Sequence, residues 1–189
     1  MAGVGGVWLA HRDDVSPAGG AAGFAGALRP PGLAAPALDG LRDQDGRAAD
    51  MGALRGRPVV MTFVYSTCED ACPTQVQAIR GALDALDRDV PVVAVSVDPR
   101  GDTPRRARRF LLEQHMTGRM RFLLGSRERL QPVWDGYAIR PQEGELEHSA
   151  YVVLVDAQGR QRVGWPHSAL TPEGLEGDLR LLLEEGSAA

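Results

Sequence analysis

With 189 residues, the chain is long enough for one well-packed domain plus an extra arm and short for two. A hydrophobic fraction of 43% and a charged fraction of 24% are ordinary for a globular protein, and a net charge of −4 supplies no cationic surface for phosphates, which argues against a nucleic acid partner. There is no Lys and no Asn, so all 21 basic residues are Arg, and a Walker-type phosphate loop or a Schiff-base mechanism, each of which needs a Lys, is excluded.

Met1 to Ala10 is mostly apolar but falls short of the roughly 20 residues that cross a bilayer. Two readings stand for it: the trailing end of a signal or anchor segment, or a disordered N-terminus. Residues 16 to 36 are dominated by Ala, Gly and Pro, so the sequence predicts a flexible tether over 1–36 and a folded domain over 37–189. Leu38-Asp39-Gly40 and Asp43-Gln44-Asp45-Gly46 are turn signals that predict an N-terminal hairpin.

Pro58 to Tyr65 is a short β-rich run, too apolar to be half-exposed, and predicts a central strand buried on both faces. Val76, Ile79, Leu83 and Leu86 recur at spacings of three and four, which predicts an amphipathic helix over Pro73 to Leu86. Pro91 to Val97 is a second buried strand. Asp102-Thr103-Pro104 supplies an N-cap and a first-turn Pro for a helix running to about Gln114. A short strand over Arg121 to Leu124 follows, then a helix capped by Ser126 and a strand over Ala150 to Val155. The turn at Asp156 to Gly159 leads into Gln161 to Trp165, and Thr171-Pro172 opens the last helix. The order β-α-β-α-β-α-β-β-α predicts an α/β sandwich on a mixed sheet that ends in an antiparallel hairpin.

The only two cysteines, Cys68 and Cys72, lie where the first buried strand meets a helix. If the first helical turn includes them, residues four apart share a face, and two sulfurs can converge on one metal ion or close a disulfide. Helix N-terminal N–H groups also favour thiolate over thiol. A disulfide staple or two space-filling thiols would be the bland reading, but a loop closed over so few residues restricts the unfolded chain little. Thiolates are soft ligands that suit Cu(I) or Zn. A structural Zn site wants four protein ligands, and the chain has no further Cys, so copper fits the shortage.

Four stretches carry a resemblance: Thr62 to Cys68 with Cys72-Pro73, Val95-Ser96-Val97-Asp98-Pro99 with Asp102-Thr103-Pro104, Glu147-His148-Ser149, and Val153 to Asp156 with Gly159. In them the sequence resembles the Sco (SenC) family of copper-binding, thioredoxin-like proteins that assist assembly of the copper A centre of cytochrome c oxidase. The resemblance runs from about residue 37 to the C-terminus and implies a thioredoxin-like three-layer sandwich with the hairpin as an N-terminal extension. It implies Cys68, Cys72 and His148 as ligands of Cu(I) or Cu(II), with Cys68 and Cys72 also a redox pair. It further implies a metallochaperone rather than an enzyme, tethered to or exported to the extracytoplasmic face of a bacterial membrane. The partner implied is the oxidase subunit that carries the copper A site, with a periplasmic copper carrier or a thiol reductant as further partners. Spacing alone does not bring His148 to the cysteines. Two positions depart from the usual pattern: Glu69, where many members have Pro, is expected to raise the thiol pKa values, and Glu147, where many have Asp, keeps a carboxylate beside the histidine.

Asp98, at the end of a buried strand, is a candidate partner beside the metal ligands; the competing reading is a turn residue before Pro99. Arg105, Arg106, Arg108 and Arg109 read as a solvated helix face, with docking to an acidic partner as the functional alternative. His115, Met116 and Met120 read as packing and surface residues rather than a second metal site, and His11 and His167 lack context. The alternative functions are a thiol-disulfide oxidoreductase working through Cys68 and Cys72 without metal, a copper-dependent redox sensor, and a peroxidase of the same fold. The paired cysteine spacing disfavours the peroxidase.

Overall fold

The computed structural model describes residues 23–141 and 150–187. In chain order the strands are β1 (Ala27–Leu28), β2 (Val59–Val64), β3 (Val92–Ser96), β4 (Met120–Leu123), β5 (Tyr151–Val155) and β6 (Gln161–Pro166). The helices are α1 (Ala71–Ala85), α2 (Pro104–Glu113), α3 (Arg127–Tyr137) and α4 (Pro172–Ser187).

Every residue of β2 is buried because the strand has neighbours on all sides. Side chains alternate between the two faces of a strand, so Val60 and Val64 join one apolar cluster while Val59, Met61 and Phe63 join the other. β3 pairs with β2 in parallel, and β5 pairs with it antiparallel. The full order is β1-β6-β5-β2-β3-β4, a mixed sheet of the thioredoxin-like kind that the sequence predicts.

The chain first grows the sheet in one direction, from β2 through α1 to β3 and through α2 to β4. Parallel crossovers share one hand, so both helices land on the same face. There Val76, Ile79 and Leu83 of α1 and Phe110 and Leu111 of α2 meet Leu175, Leu179 and Leu182 of α4. α3 covers the opposite face with Leu130, Val133, Trp134 and Tyr137, next to Leu38, Leu41 and Leu54. Full burial of such side chains contributes about 1.5–3 kcal/mol each. After α3 the chain returns to the other flank of β2 as β5, so the sheet's direction of growth reverses at the strand that leads into the cysteines.

The predicted hairpin is present in reduced form. Gly46 N–H donates to the Asp43 carbonyl at 2.9 Å, and the turn closes a single bridge, Arg42 to Ala48, while Arg42 also bridges Leu124 at the end of β4. It clips the sheet edge rather than standing apart as two strands.

The boundary of the folded part differs from the prediction, which left everything before residue 37 to a tether. Phe24 is buried, and Ala27 and Leu28 pair with Gly164 and Val163 as the edge strand of the sheet. The backbone N–H groups of Ala25 and Gly26 donate to the buried Asp178 carboxylate at 2.6 and 3.0 Å, and Trp165 Nε1 donates to it at 2.9 Å. Gly26 is required by this approach: a Cβ there would sit 2.5 Å from Trp165 Nε1 and from Val163 Cγ1. Residues 1–22, which include Met1 to Ala10 and most of the predicted tether, lie outside the described residues.

Candidate metal centre

β2 ends at Val64 and α1 begins at Ala71, so Cys68 lies in the connecting loop and only Cys72 lies in the helix. The two still meet, by capping rather than by sharing a helical face. Asp70, at the N-cap position, makes no side-chain cap, and the Cys72 N–H donates instead to Cys68 Sγ at 3.3 Å. Pro73, third in the helix, has no N–H to satisfy, which is why a first turn tolerates it. The Cys68 N–H donates to the Tyr65 carbonyl at 3.3 Å, which tightens the loop.

Both cysteines are free thiols, Cys68 half-buried and Cys72 fully buried. The Cys68 thiol is held down at about 5. Its leading cause is the hydrogen bond from the Cys72 thiol, which outweighs burial and is helped by the Cys72 and Asp70 backbone and the Tyr65 hydroxyl. Cys72 is pushed up, first by that same hydrogen bond to Cys68 and then by burial. Near neutral pH the pair is therefore one thiolate and one thiol sharing a proton. Glu69 is not among the leading contributions to either shift, so the expected rise of both thiols on its account is not what the site displays. Tyr65 is pushed up by burial and by its bond to Cys68, and stays protonated as a donor.

Beneath the loop lies a polar clamp that sequence reasoning passed over. Asp102 Oδ1 accepts from the Ser66 N–H at 2.7 Å and the Ser66 hydroxyl at 2.5 Å, and Oδ2 accepts from the Ser96 hydroxyl at 2.5 Å. Ser66 is two residues before Cys68, so the clamp ties the cysteine loop to the end of β3. Asp102 is free to do this because Thr103, not Asp102, caps α2, its Oγ1 accepting from the Arg106 N–H at 3.2 Å. Asp98 serves the loop between them: its carboxylate accepts from the Arg100 and Gly101 N–H groups at 3.2 and 2.9 Å, and its carbonyl accepts from the Asp102 N–H at 2.9 Å. That is the turn reading of Asp98. The signal that would have pointed to Asp102 is the pair of serines, Ser96 closing an apolar strand and Ser66 opening the cysteine loop.

Gln75, one turn beyond Cys72, is buried and donates through Nε2 to Thr62 Oγ1 at 2.5 Å and to the Tyr151 carbonyl at 3.3 Å, holding the cysteine helix against β2 and the start of β5. His148 and Glu147 lie outside the described residues. Among the described residues no group of three or more His, Cys, Asp or Glu side chains converges as a metal site. The side chains of Met116 and Met120 are buried in the core, while His115 is exposed at the end of α2. The Arg run is exposed and largely engaged within the chain: Arg106 donates to the Gly101 carbonyl, Arg108 pairs with Asp45 and Arg109 with Glu113. No helix among the described residues is long and apolar enough to cross a membrane.

A thiolate and a thiol at the reversal point of a mixed, thioredoxin-like sheet define a dithiol domain able to hold a soft ion or to exchange disulfides. The particular family follows from comparison: residues 40–184 match the SCO1/SenC family, and the chain belongs to it. An SCO2-like protein of Rickettsia prowazekii is 26% identical over 132 residues, covering 64% of this chain and 63% of that protein, so the chain matches less than two thirds of this relative's length. A putative copper-binding protein of Stutzerimonas stutzeri is 29% identical over 168 residues, covering 83% of this chain and 80% of that protein. Among solved structures, the ScoI protein of Bradyrhizobium japonicum with copper bound superimposes with a TM-score of 0.64 at 29% identity, covering 76% of this chain and 96% of that one.

Proposed function

We propose that this domain is a copper carrier that holds copper through Cys68, Cys72 and His148. It passes the ion by ligand exchange to the cytochrome c oxidase subunit that carries the copper A site, at the extracytoplasmic face of the membrane. The observation that supports it most directly is the contact between the cysteines: Cys68 Sγ, in the loop, accepts from the N–H of Cys72, in the first turn of α1, at 3.3 Å, so both sulfurs lie at the head of that helix. Two soft sulfurs suit copper, and binding the ion displaces the proton they share. The third ligand is supported by topology. β5 runs antiparallel to β2, with Thr62 opposite Val152, so it starts at the end of the sheet where β2 delivers the cysteine loop. His148 precedes Tyr151 by three residues, a reach of roughly 10 Å at the usual span per residue, and the Tyr151 carbonyl already touches Gln75 on the cysteine helix. The copper-bound relative from Bradyrhizobium supports the choice of metal.

The second reading is a thiol-disulfide reductase that prepares the target's cysteines, favoured by the low Cys68 pKa and its partial exposure. The Cys68 thiolate would attack a substrate disulfide and expel one thiolate. Cys72 would then lose its proton and displace Cys68 from the mixed disulfide, leaving the substrate as dithiol and this chain as disulfide. The separating experiment is anaerobic titration of the reduced protein with Cu(I) and then Cu(II), on the wild type and His148→Ala. One tightly held copper per chain, weakened by His148→Ala, supports the carrier. Loose copper with rapid cycling against a disulfide substrate supports the reductase.

A further inference from the structure

Among the described residues, Asp43, Asp156, Asp178 and Asp102 each accept several hydrogen bonds from the folded chain, and Asp102 is the one of them that holds the cysteine loop, with no cation paired to it. Asp43 is paired with Arg121 at 3.0 Å, and Asp156 with Arg160 at 3.0 Å and Arg162 at 3.4 Å. Asp102 accepts only from neutral groups, the Ser66 N–H and the hydroxyls of Ser66 and Ser96. It lines an open cleft of about 530 Å³ together with Arg42 and Arg129, yet no ion pair joins it to either; Arg42 donates to the Gly46 carbonyl at 2.9 Å. Burial pushes the Asp102 carboxyl above the ordinary carboxylate value, against the hydrogen bonds from Ser66 and Ser96 that favour its charged form; in the ionised form, a charge in a partly desolvated setting acts over a longer range than in water. Asp102 reaches the cysteines through Ser66, whose N–H and hydroxyl it holds two residues before Cys68.

We propose that Asp102 positions the cysteine loop and supplies the fixed negative charge that biases a copper ion held there toward its oxidised state. The inference rests on the copper reading above. The positioning part follows from the bonds to Ser66, two residues from Cys68, and to Ser96 on the neighbouring strand. The bias follows from Coulomb's law. Cu(II) carries one unit more charge than Cu(I), so a fixed anion stabilises it by one unit more. Across roughly 10 Å at an effective dielectric near 20, that amounts to about a tenfold difference in relative affinity.

The test uses the full chain as wild type, Asp102→Asn and Ser96→Ala, each reduced anaerobically and loaded with copper. Three properties are read: the thiolate-to-Cu(II) charge-transfer band with its EPR signal, the Cu(II)/Cu(I) midpoint against a one-electron mediator, and urea unfolding of the metal-free protein. Asp102→Asn is expected to lower the ratio of Cu(II) to Cu(I) affinity about tenfold, a midpoint rise of about 59 mV. Ser96→Ala keeps the charge and loosens the clamp, so it is expected to shift the band and the EPR signal while moving the midpoint much less. An Asp102→Asn protein that loses urea resistance but keeps the wild-type band and midpoint overturns the proposal, because Asp102 is then only a strut. Should Asp102→Asn not fold, an unchanged band in Ser96→Ala overturns the positioning role by itself. A wild type that holds no copper removes the copper reading and this inference together, whereas a loaded wild type indistinguishable from Asp102→Asn removes this inference alone.

Discussion

Asp102 and Asp178 are two versions of one device at two places in the fold. Each carboxylate collects three hydrogen bonds from neutral donors and ties together segments far apart in the chain. Asp178 is 1% exposed and binds the arm at Ala25 and Gly26 to Trp165, so it closes the edge of the sheet under α4. Asp102 is half-buried, opens onto a cleft, and binds the loop that presents Cys68. The difference lies in what is beside the clamp. Around Asp178 there is only packing, so its bonds contribute stability. Asp102 holds the loop that carries Cys68, so its bonds set the geometry of that loop and, on the proposal above, its charge biases the metal.

That comparison can be broken from either side. The largest effect is expected from Cys68→Ala, which should abolish tight copper retention while lowering the urea stability by no more than about 1 kcal/mol, the cost of losing a helix cap. Metal per chain after desalting and a urea curve read the two halves. A stability loss several times larger would mean the cysteine loop is also structural. Asp178→Ala should do the reverse, costing about 2–4 kcal/mol in urea because three donors lose their acceptor, with copper stoichiometry unchanged. If copper binding weakens as well, the two clamps are not independent. Gly26→Ala should cost about 1–3 kcal/mol by overpacking against Trp165 and Val163, and wild-type stability in this variant would show that the arm docks loosely.

Two smaller effects depend on pH. The rate of Cys68 alkylation by iodoacetamide should reach half its plateau near pH 5 in the reduced protein, since only the thiolate reacts. Tyr65→Phe, by removing one donor to the sulfur, should move that midpoint upward; a midpoint near the ordinary thiol value in the wild type would contradict the shared-proton pair. Asp43 and Asp156 shape the acid limb. Burial pushes both up, but the hydrogen bonds from Arg47 and Asp45 N–H and from Arg160, with their Arg partners, bring both below the ordinary carboxylate value. Their contribution is complete above the unfolded value of about 4 and is lost as pH falls through the folded values. Urea stability of Asp156→Asn should therefore fall less steeply below about pH 4 than that of the wild type, and an equal slope would remove Asp156 from the acid transition.

The helices and the central strands were legible because their signals are local. β2 and β3 are unbroken apolar runs, α1 and α4 repeat Leu, Ile and Val at helical spacing, and each observed element lies within a few residues of its predicted range. β1 was not legible. Two residues, Ala27 and Leu28, carry no period, and what makes them a strand is Gly164 and Val163 across the sheet, with Asp178 and Trp165 holding the backbone just before them. The site divides in the same way. The pairing of Cys68 with Cys72 could be read from their spacing at a strand end, although the contact arises from a sulfur capping the helix.

Which aspartate serves the cysteine loop could not be read. Asp98 and Asp102 are both acidic residues in the stretch between β3 and α2; the sequence offered Asp98 as the candidate, with the turn reading the stronger one for it, and read Asp102 only as part of a helix cap. Only the folded loop turns the Asp98 carboxylate onto its own backbone and aims the Asp102 carboxylate at Ser66. By itself, then, the sequence determined the layered α/β order, the buried central strand and the two soft sulfurs at its end, since all of these follow from patterns within a few residues. Tertiary structure alone decided the docking of the arm, the shared proton between the cysteines and the choice of Asp102. Each depends on groups brought within hydrogen-bonding distance by the fold, and hydrogen bonds of that kind leave no period in the chain.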